Sequence, residues 1–246
     1  MKKQLSSLTV ICVLWQDEWE GQWYRPYTPD WVSRLKDMVT KNLSYDFEFI
    51  CLSNVDPLQF RDDIKVYPFE RKAKAWWNKI EVFRENLTRN ERILYIDIDS
   101  IIVNGLDDVV DFSSDFALFD VWDFSTMPNT KQAIKRAKKK KGCLLNPVYS
   151  SCMMVMDRHA RPQVYYECNQ NIMDKYCGDQ DWISVCLGND ESMFPKGWGR
   201  KINRSDRGEN PKFDEDLKII ACHPVKNHLL EGLGYDYLND IWDSNV

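Results

Sequence analysis

Arg92-Ile93-Leu94-Tyr95-Ile96-Asp97-Ile98-Asp99-Ser100-Ile101-Ile102-Val103 is the stretch on which the reading of this chain turns. A mostly apolar run leads into Asp-Ile-Asp, and three more apolar residues follow. An apolar run of that length between polar flanks predicts a central strand of an α/β sheet, and such sheets bind ligands at the carboxyl ends of their strands. On an extended backbone Asp97 and Asp99 would point the same way, because the side-chain period of a strand is two. Carboxylates converging in an apolar setting repel each other unless a cation sits between them. Hard divalent cations such as Mn²⁺ or Mg²⁺ prefer oxygen ligands and often hold a substrate's phosphates. The competing reading is a strand-end pair that merely caps a turn or a following helix.

Outward from that stretch, the first hundred residues alternate. Leu8 to Trp15 is a continuous apolar run, as for a strand buried on both faces. Thr28-Pro29-Asp30 starts a helix with proline at its first position, and Trp31, Val32, Leu35, Met38 and Val39 recur at helical spacing. Asp46 to Leu52 predicts a second strand. Trp76, Trp77, Ile80, Phe83 and Leu87 predict a helix with one apolar stripe, its polar side carrying Asn78, Lys79 and Arg84. Strand, helix, strand, helix, strand implies a nucleotide-binding half-sheet.

The second half is less regular. Phe116 to Phe119 reads as a short strand ending in Asp120-Val121-Trp122-Asp123, and Tyr149 to Met156 as a further strand. Val164, Tyr165, Cys168, Ile172 and Met173 have helical spacing. Gly178-Asp179-Gln180-Asp181 precedes a short helix from Trp182 to Leu187, and Lys218 to Cys222 is a last strand delivering His223. The segment Lys131 to Lys141 holds seven cationic residues, read as a solvated face or, alternatively, an arm that attracts an anionic acceptor. No internal repeat or linker interrupts the pattern, so the expectation is one α/β domain.

Bulk properties narrow the function classes. The chain has 246 residues, 43% hydrophobic, 13% aromatic, with ten tryptophans, as a folded globular protein does. A net charge of -5 argues against a general nucleic-acid binder. Eight cysteines without any Cys-x-x-Cys pair suit buried, reduced thiols in a cytoplasmic protein. The start, Met-Lys-Lys before Leu8 to Trp15, reads as a strand rather than a signal peptide, and no run approaches the ~18 apolar residues of a membrane span.

Together the strand ends offer Asp97, Asp99 and His223, with Lys226 three residues on. Two carboxylates and an imidazole form a set suited to Mn²⁺ or Mg²⁺, with open positions for a diphosphate that a lysine would help to neutralise.

These residues resemble a known family. Ile96-Asp97-Ile98-Asp99 resembles the DxD motif of GT-A glycosyltransferases, and the order of motifs resembles the family 8 branch related to glycogenin and the bacterial lipopolysaccharide galactosyltransferases. Val10 to Trp15 is similar to the first nucleotide-binding strand, Trp76-Trp77-Asn78-Lys79-Ile80 to a Trp-Asn-Lys-Leu helix, Tyr149 to Met156 to an Asn-Ser-Gly-Val-Met strand, Gly178-Asp179-Gln180-Asp181 to an Asp-Gln segment, and His223 to His228 to a closing His-Gly-x-x-Lys-Pro motif. The resemblance implies a single-domain GT-A fold with a mixed central sheet flanked by helices, residues 1–103 forming the nucleotide-sugar half and 104–246 the acceptor half. It implies a UDP-sugar donor, an unidentified glycan, lipid-linked or protein acceptor, and transfer with retention.

Residue by residue, it implies that Asp97 and Asp99 bind Mn²⁺, with Asp97 shared with the donor ribose and His223 as third ligand. Lys79 and Lys226 would meet the diphosphate, Asp179 and Gln180 the sugar and acceptor, Asp120 or Asp123 the donor hydroxyls. Trp15, Asp17 and Tyr24 would hold the base. The chain departs from the pattern at Ser150 for Asn, at Cys152 for Gly, and in a closing motif one residue short. Two alternatives stand beside the enzyme: a binding module that retains the nucleotide-sugar pocket without catalysis, and a haloacid-dehalogenase-type phosphatase, whose Asp-x-Asp lies on the first strand rather than after two βα units.

Overall fold

The computed structural model describes residues 8–16, 27–71, 73–120, 148–201 and 214–222. Among the described residues ten strands run in chain order as β1 (Leu8–Leu14), β2 (Glu48–Ser53), β3 (Lys65–Tyr67), β4 (Arg92–Ile96), β5 (Ser100–Ile102), β6 (Phe116–Asp120), β7 (Tyr149–Asp157), β8 (Ser192–Met193), β9 (Gly199–Lys201) and β10 (Ile219–Ala221). Seven form a mixed sheet in the order β3-β2-β1-β4-β7-β6-β8, and three form a small sheet in the order β5-β10-β9. Strands β3, β2, β1 and β4 are mutually parallel, and β7 runs antiparallel to both β4 and β6.

The apolar run of β1 is explained by two covered faces. Leu8, Val10, Cys12 and Leu14 pack into one buried cluster with Trp31, Val32, Leu35, Met38 and Val39 of α1 (Pro29–Asn42), while Ile11 and Val13 pack into the opposite cluster with Trp77, Ile80 and Tyr95. Helix α1 starts as its sequence predicts, with proline in its first turn.

The stretch from Arg92 to Val103 is not one strand. The chain leaves the large sheet at Ile96, turns through Asp97 to Asp99, with the Ser100 amide donating to the Asp97 carbonyl at 3.0 Å, and enters the small sheet at Ser100. Asp97 and Asp99 therefore lie on a turn between two sheets, and the extended geometry expected from their spacing does not hold. Alternation does hold one step earlier: Ile93 and Tyr95 point into one cluster, Leu94 and Ile96 into the other.

Three other expectations change. The predicted Trp76 helix is a nine-residue 3₁₀ segment, Ala75–Phe83, entered through Ala75 at φ 52°. Its buried residues Trp77, Ile80 and Phe83 are three apart, the period of 3₁₀ winding, in which such residues stack on one face. The stretch from Val164 to Met173 divides into two short helices, Gln163–Tyr166 and Gln170–Lys175. Cys177 is in a disulfide, which corrects the reading of all cysteines as reduced thiols, whereas Cys12, Cys51, Cys152, Cys168, Cys186 and Cys222 are free. Among the described residues no helix is long and apolar enough to cross a membrane.

Arg92 locks the start of β4. It is 8% exposed, its Nη1 donates to Asp157 Oδ1 at 2.6 Å, and the guanidinium also reaches the carbonyls of Val110, Phe112 and Ser114 at 3.1, 2.7 and 2.7 Å. An Arg92→Met substitution strips three carbonyls, that of buried Val110 among them, of their donor and is expected to cost about 3 kcal/mol in urea unfolding, against which a loss below ~0.5 kcal/mol would show the network to be dispensable.

Candidate active site

Four elements meet at the carboxyl end of β4. Because β7 is antiparallel to β4, its first residues run on past Ile96, and the Asp97 amide donates to the Cys152 carbonyl at 2.7 Å. Ser150 and Ser151 are thereby laid beside the aspartate turn. The 3₁₀ segment crosses the same edge, and the helix Asp179–Leu187 points its first turn at it.

The centre is the Lys79 ammonium. It lies 2.8 Å from Asp97 Oδ1 and 3.3 Å from Asp179 Oδ2, and donates to Ser151 Oγ at 3.1 Å. Ser151 Oγ in turn donates to Asp179 Oδ2 at 2.7 Å. Side chains of Lys79, Asp97 and Asp179 are 11%, 24% and 7% exposed, so the cluster is largely desolvated, with Asp97 its most open member. Burial disfavours the ammonium, but Asp179 and Asp97 outweigh it and raise the Lys79 pKa above that of an ordinary lysine, which keeps it cationic at physiological pH. Asp97 is shifted upward, first by burial and then by Asp99, against the opposing pull of Lys79. Burial and the charge of Asp97 push the Cys152 thiol up to about 12, so it stands there as a neutral thiol.

Winding explains why Lys79 reaches so far. In a 3₁₀ segment residues three apart stack, which places Trp76 and Lys79 on one side. Trp76 Nε1 donates to the Cys177 carbonyl at 3.2 Å while Lys79 meets Asp179, so the segment grips residues 177 to 179 at two points. Asp179 and Gln180, read from sequence as preceding the helix, are its first two residues. The helix is anchored by Trp182, whose Nε1 donates to the Val164 carbonyl at 2.9 Å, and carboxylates in its first turn suit the helix dipole. Gln180 Nε2 donates to Ser150 Oγ at 3.3 Å.

Asp99 is held from the other side of the sheet. Its Oδ2 accepts from the Tyr27 hydroxyl at 2.6 Å, and the Tyr27 ring packs edge-on against Trp31 of α1 at 4.9 Å. Burial and Asp99 hold the Tyr27 phenol well above its ordinary value, so it remains a donor. Gln16 exchanges backbone bonds with the Asn54 side chain, 2.9 Å each, and its own side chain donates to the Tyr27 carbonyl at 3.1 Å. The end of β1 is thus tied to the residue that holds Asp99.

The structure gathers Lys79, Asp97, Asp99, Asp179 and Gln180 from the predicted set. Trp15 is half-buried at the end of β1, and Asp120 ends β6 opposite Tyr149. Asp17, Tyr24, Asp123, His223, Lys226 and the basic run Lys131 to Lys141 lie outside the described residues. Sequence reasoning missed Tyr27 and Ser151. Tyr27 sits immediately before the helix start and was legible only as helix lead-in, and a serine in a strand announces no partner.

Among the described residues no three His, Cys, Asp or Glu side chains come together as a metal site would need. The donor chemistry nevertheless fits a hard cation, since Asp97 and Asp99 are like-charged oxygen donors brought into electrostatic contact by one turn. The Cys222 amide donates to the Asp99 carbonyl at 3.2 Å, so the described chain ends β10 beside that turn, one residue before His223 in sequence.

No family model matches the chain, and no curated protein matches it by sequence. Solved structures do. The galactosyltransferase LgtC in complex with donor and acceptor sugar analogues aligns over 96% of this chain and 95% of its own, with a TM-score of 0.60 at 10% identity. The bifunctional glycosyltransferase WbbM aligns over 87% of this chain and 45% of its own, with a TM-score of 0.57 at 11% identity. Mouse xyloside xylosyltransferase 1 aligns over 88% and 97%, with a TM-score of 0.52 at 10% identity. The chain has the GT-A glycosyltransferase fold.

Gly178 offers a local test of how the site is held. A Cβ built there would come within 2.7 Å of Trp76 Nε1 and 2.9 Å of its Cδ1. Gly178→Ala is therefore expected to force the indole and the Asp179 helix apart, costing roughly 1–3 kcal/mol in urea unfolding, and Trp76→Phe in the same chain should restore part of the loss. Unchanged stability in the single variant would mean that the contact yields freely.

Proposed function

We propose that this chain is a metal-dependent glycosyltransferase that moves a sugar from a nucleotide donor, a UDP-sugar by resemblance, to an acceptor with retention of configuration. The observation that carries this reading is the single ammonium of Lys79 shared between Asp97 and Asp179 at the carboxyl edge of β4. It joins the aspartate turn, suited to a diphosphate and its counter-ion, to the helix start suited to sugar hydroxyls. An ordinary structural ion pair needs only one carboxylate for one lysine.

Asp97 and Asp99 would hold the cation, with His223 as third ligand by resemblance. When bound, a divalent cation supplies Lewis-acid stabilisation of the nucleoside-diphosphate leaving group. The rest falls to the chain's own residues. Lys79 adds fixed positive charge beside the departing phosphate, in a site dry enough for that charge to count. Asp179, bonded through Oδ2 by Ser151 and beside Lys79, is an oriented acceptor for sugar hydroxyls. Gln180, bonded to Ser150, presents an amide at the same helix start. Trp15, just past the end of β1, would hold the base by resemblance.

The phosphatase alternative has less to stand on, because here the Asp-x-Asp follows the fourth strand and β1 carries no aspartate. The binding-module reading differs from the enzyme only in outcome.

A panel of UDP-, GDP- and CMP-sugars with Mn²⁺ separates these readings. One donor class is expected to bind only with Mn²⁺ and to be hydrolysed slowly without acceptor. Asp97→Asn is expected to lower that hydrolysis about 100-fold or more while the far-ultraviolet circular dichroism stays unchanged. Tight Mn²⁺-dependent binding with neither hydrolysis nor transfer would identify a binding module, and undiminished hydrolysis by Asp97→Asn would remove Asp97 from the mechanism.

A further inference from the structure

We propose that Tyr95 is a positioning residue of this site, its hydroxyl setting the orientation of Asp97 and its ring face seating Lys79. The inference rests on the donor-site reading of Asp97 given above.

Tyr95 is 1% exposed, and its ring lies in the core cluster with Ile11, Trp77, Ile80 and Met154. A ring so packed cannot swing, because protein interiors are close-packed and rotamers there are fixed by their neighbours. The Tyr95 hydroxyl donates to Asp97 Oδ1. The Lys79 ammonium stands 5.6 Å from the centroid of the same ring, within cation–π range. One rigid side chain thus touches both partners of the central ion pair.

Asp97 has need of such a partner. It follows the last residue of β4 and belongs to a turn; its amide is held by the Cys152 carbonyl, but its side chain depends on its own partners for orientation. Lys79 alone cannot fix its rotamer, since a flexible ammonium is drawn at once toward Asp97 at 2.8 Å and Asp179 at 3.3 Å. The Tyr95 hydroxyl reaches Asp97 just past the last residue of β4 and closes the geometry from the interior. Phenylalanine would keep the packing and the ring face and remove the donor alone.

The test uses the full chain with Mn²⁺ and UDP as probes, free Mn²⁺ being counted by electron paramagnetic resonance. Tyr95→Phe is expected to weaken Mn²⁺ binding in the presence of UDP about tenfold, as loss of a residue that orients a metal ligand does, while the far-ultraviolet circular dichroism stays as in the wild type. Mn²⁺ affinity within about twofold of wild type would overturn the proposal. A merely structural role would lower the melting temperature and leave the Mn²⁺ affinity of the folded chain intact. Should Tyr95→Phe not fold alone, it is placed in an Asp97→Asn chain: a folded double variant supports the coupling, and failure of both to fold overturns it. Wild-type protein that shows no Mn²⁺-dependent UDP binding defeats the donor-site reading and this inference together, whereas wild-type binding with an unaffected Tyr95→Phe defeats this inference alone.

Discussion

One ammonium between a half-buried and a buried carboxylate is the constraint on which the site depends. Asp97 arrives on a turn after β4 and Asp179 at the start of a helix more than eighty residues later, and each would be costly to bury without a cation. Lys79 serves both, and the Ser151 hydroxyl, bonded to Lys79 and Asp179, fills the remaining space between them. Removing Lys79 leaves both carboxylates without their cation in a largely dry setting. A cluster of this kind is expensive to maintain as mere structure, which is why its position at a sheet edge speaks for chemistry.

The surroundings arrange themselves to keep Lys79 there. A 3₁₀ winding aligns Trp76 with Lys79, and Gly178 lets the indole lie against the backbone just before Asp179. The antiparallel entry of β7 brings Ser150 and Ser151 past the end of β4. From the opposite face Tyr27 holds Asp99, tied through Gln16 to the end of β1 and through Trp31 to α1. The two aspartates are thus fixed from different sides of the sheet, at the point where the chain passes from the large sheet to the small one.

Much of this was legible in the residues. The apolar runs at Leu8 to Trp15 and Arg92 to Ile96 predict buried strands because both faces are covered, and Thr28-Pro29 marks the start of α1. Other features hide for physical reasons. Trp77, Ile80 and Phe83 fit both an α-helical and a 3₁₀ stripe, since a spacing of three serves either, and only tertiary packing decides between them. The break at Asp97 is hidden because Ile101, Ile102 and Val103 are as apolar as the strand before them, so a change of sheet leaves no mark in hydropathy. Short strands such as β3, β8 and β9 are specified by their neighbours in the sheet more than by their own residues. In the site, charged residues announced themselves, while Tyr27, Tyr95 and Ser151 did not, because a hydroxyl is inconspicuous until its partner is known.

Whether the aspartate turn serves a cation is open to direct observation. Crystals grown with Mn²⁺ and UDP, measured at the manganese absorption edge, should show an anomalous peak within about 2.5 Å of carboxylate oxygens of Asp97 or Asp99, with the diphosphate on its far side and Lys79 still against Asp179. Bound UDP with no anomalous peak at that turn, or a peak at a site remote from both aspartates, would contradict the account.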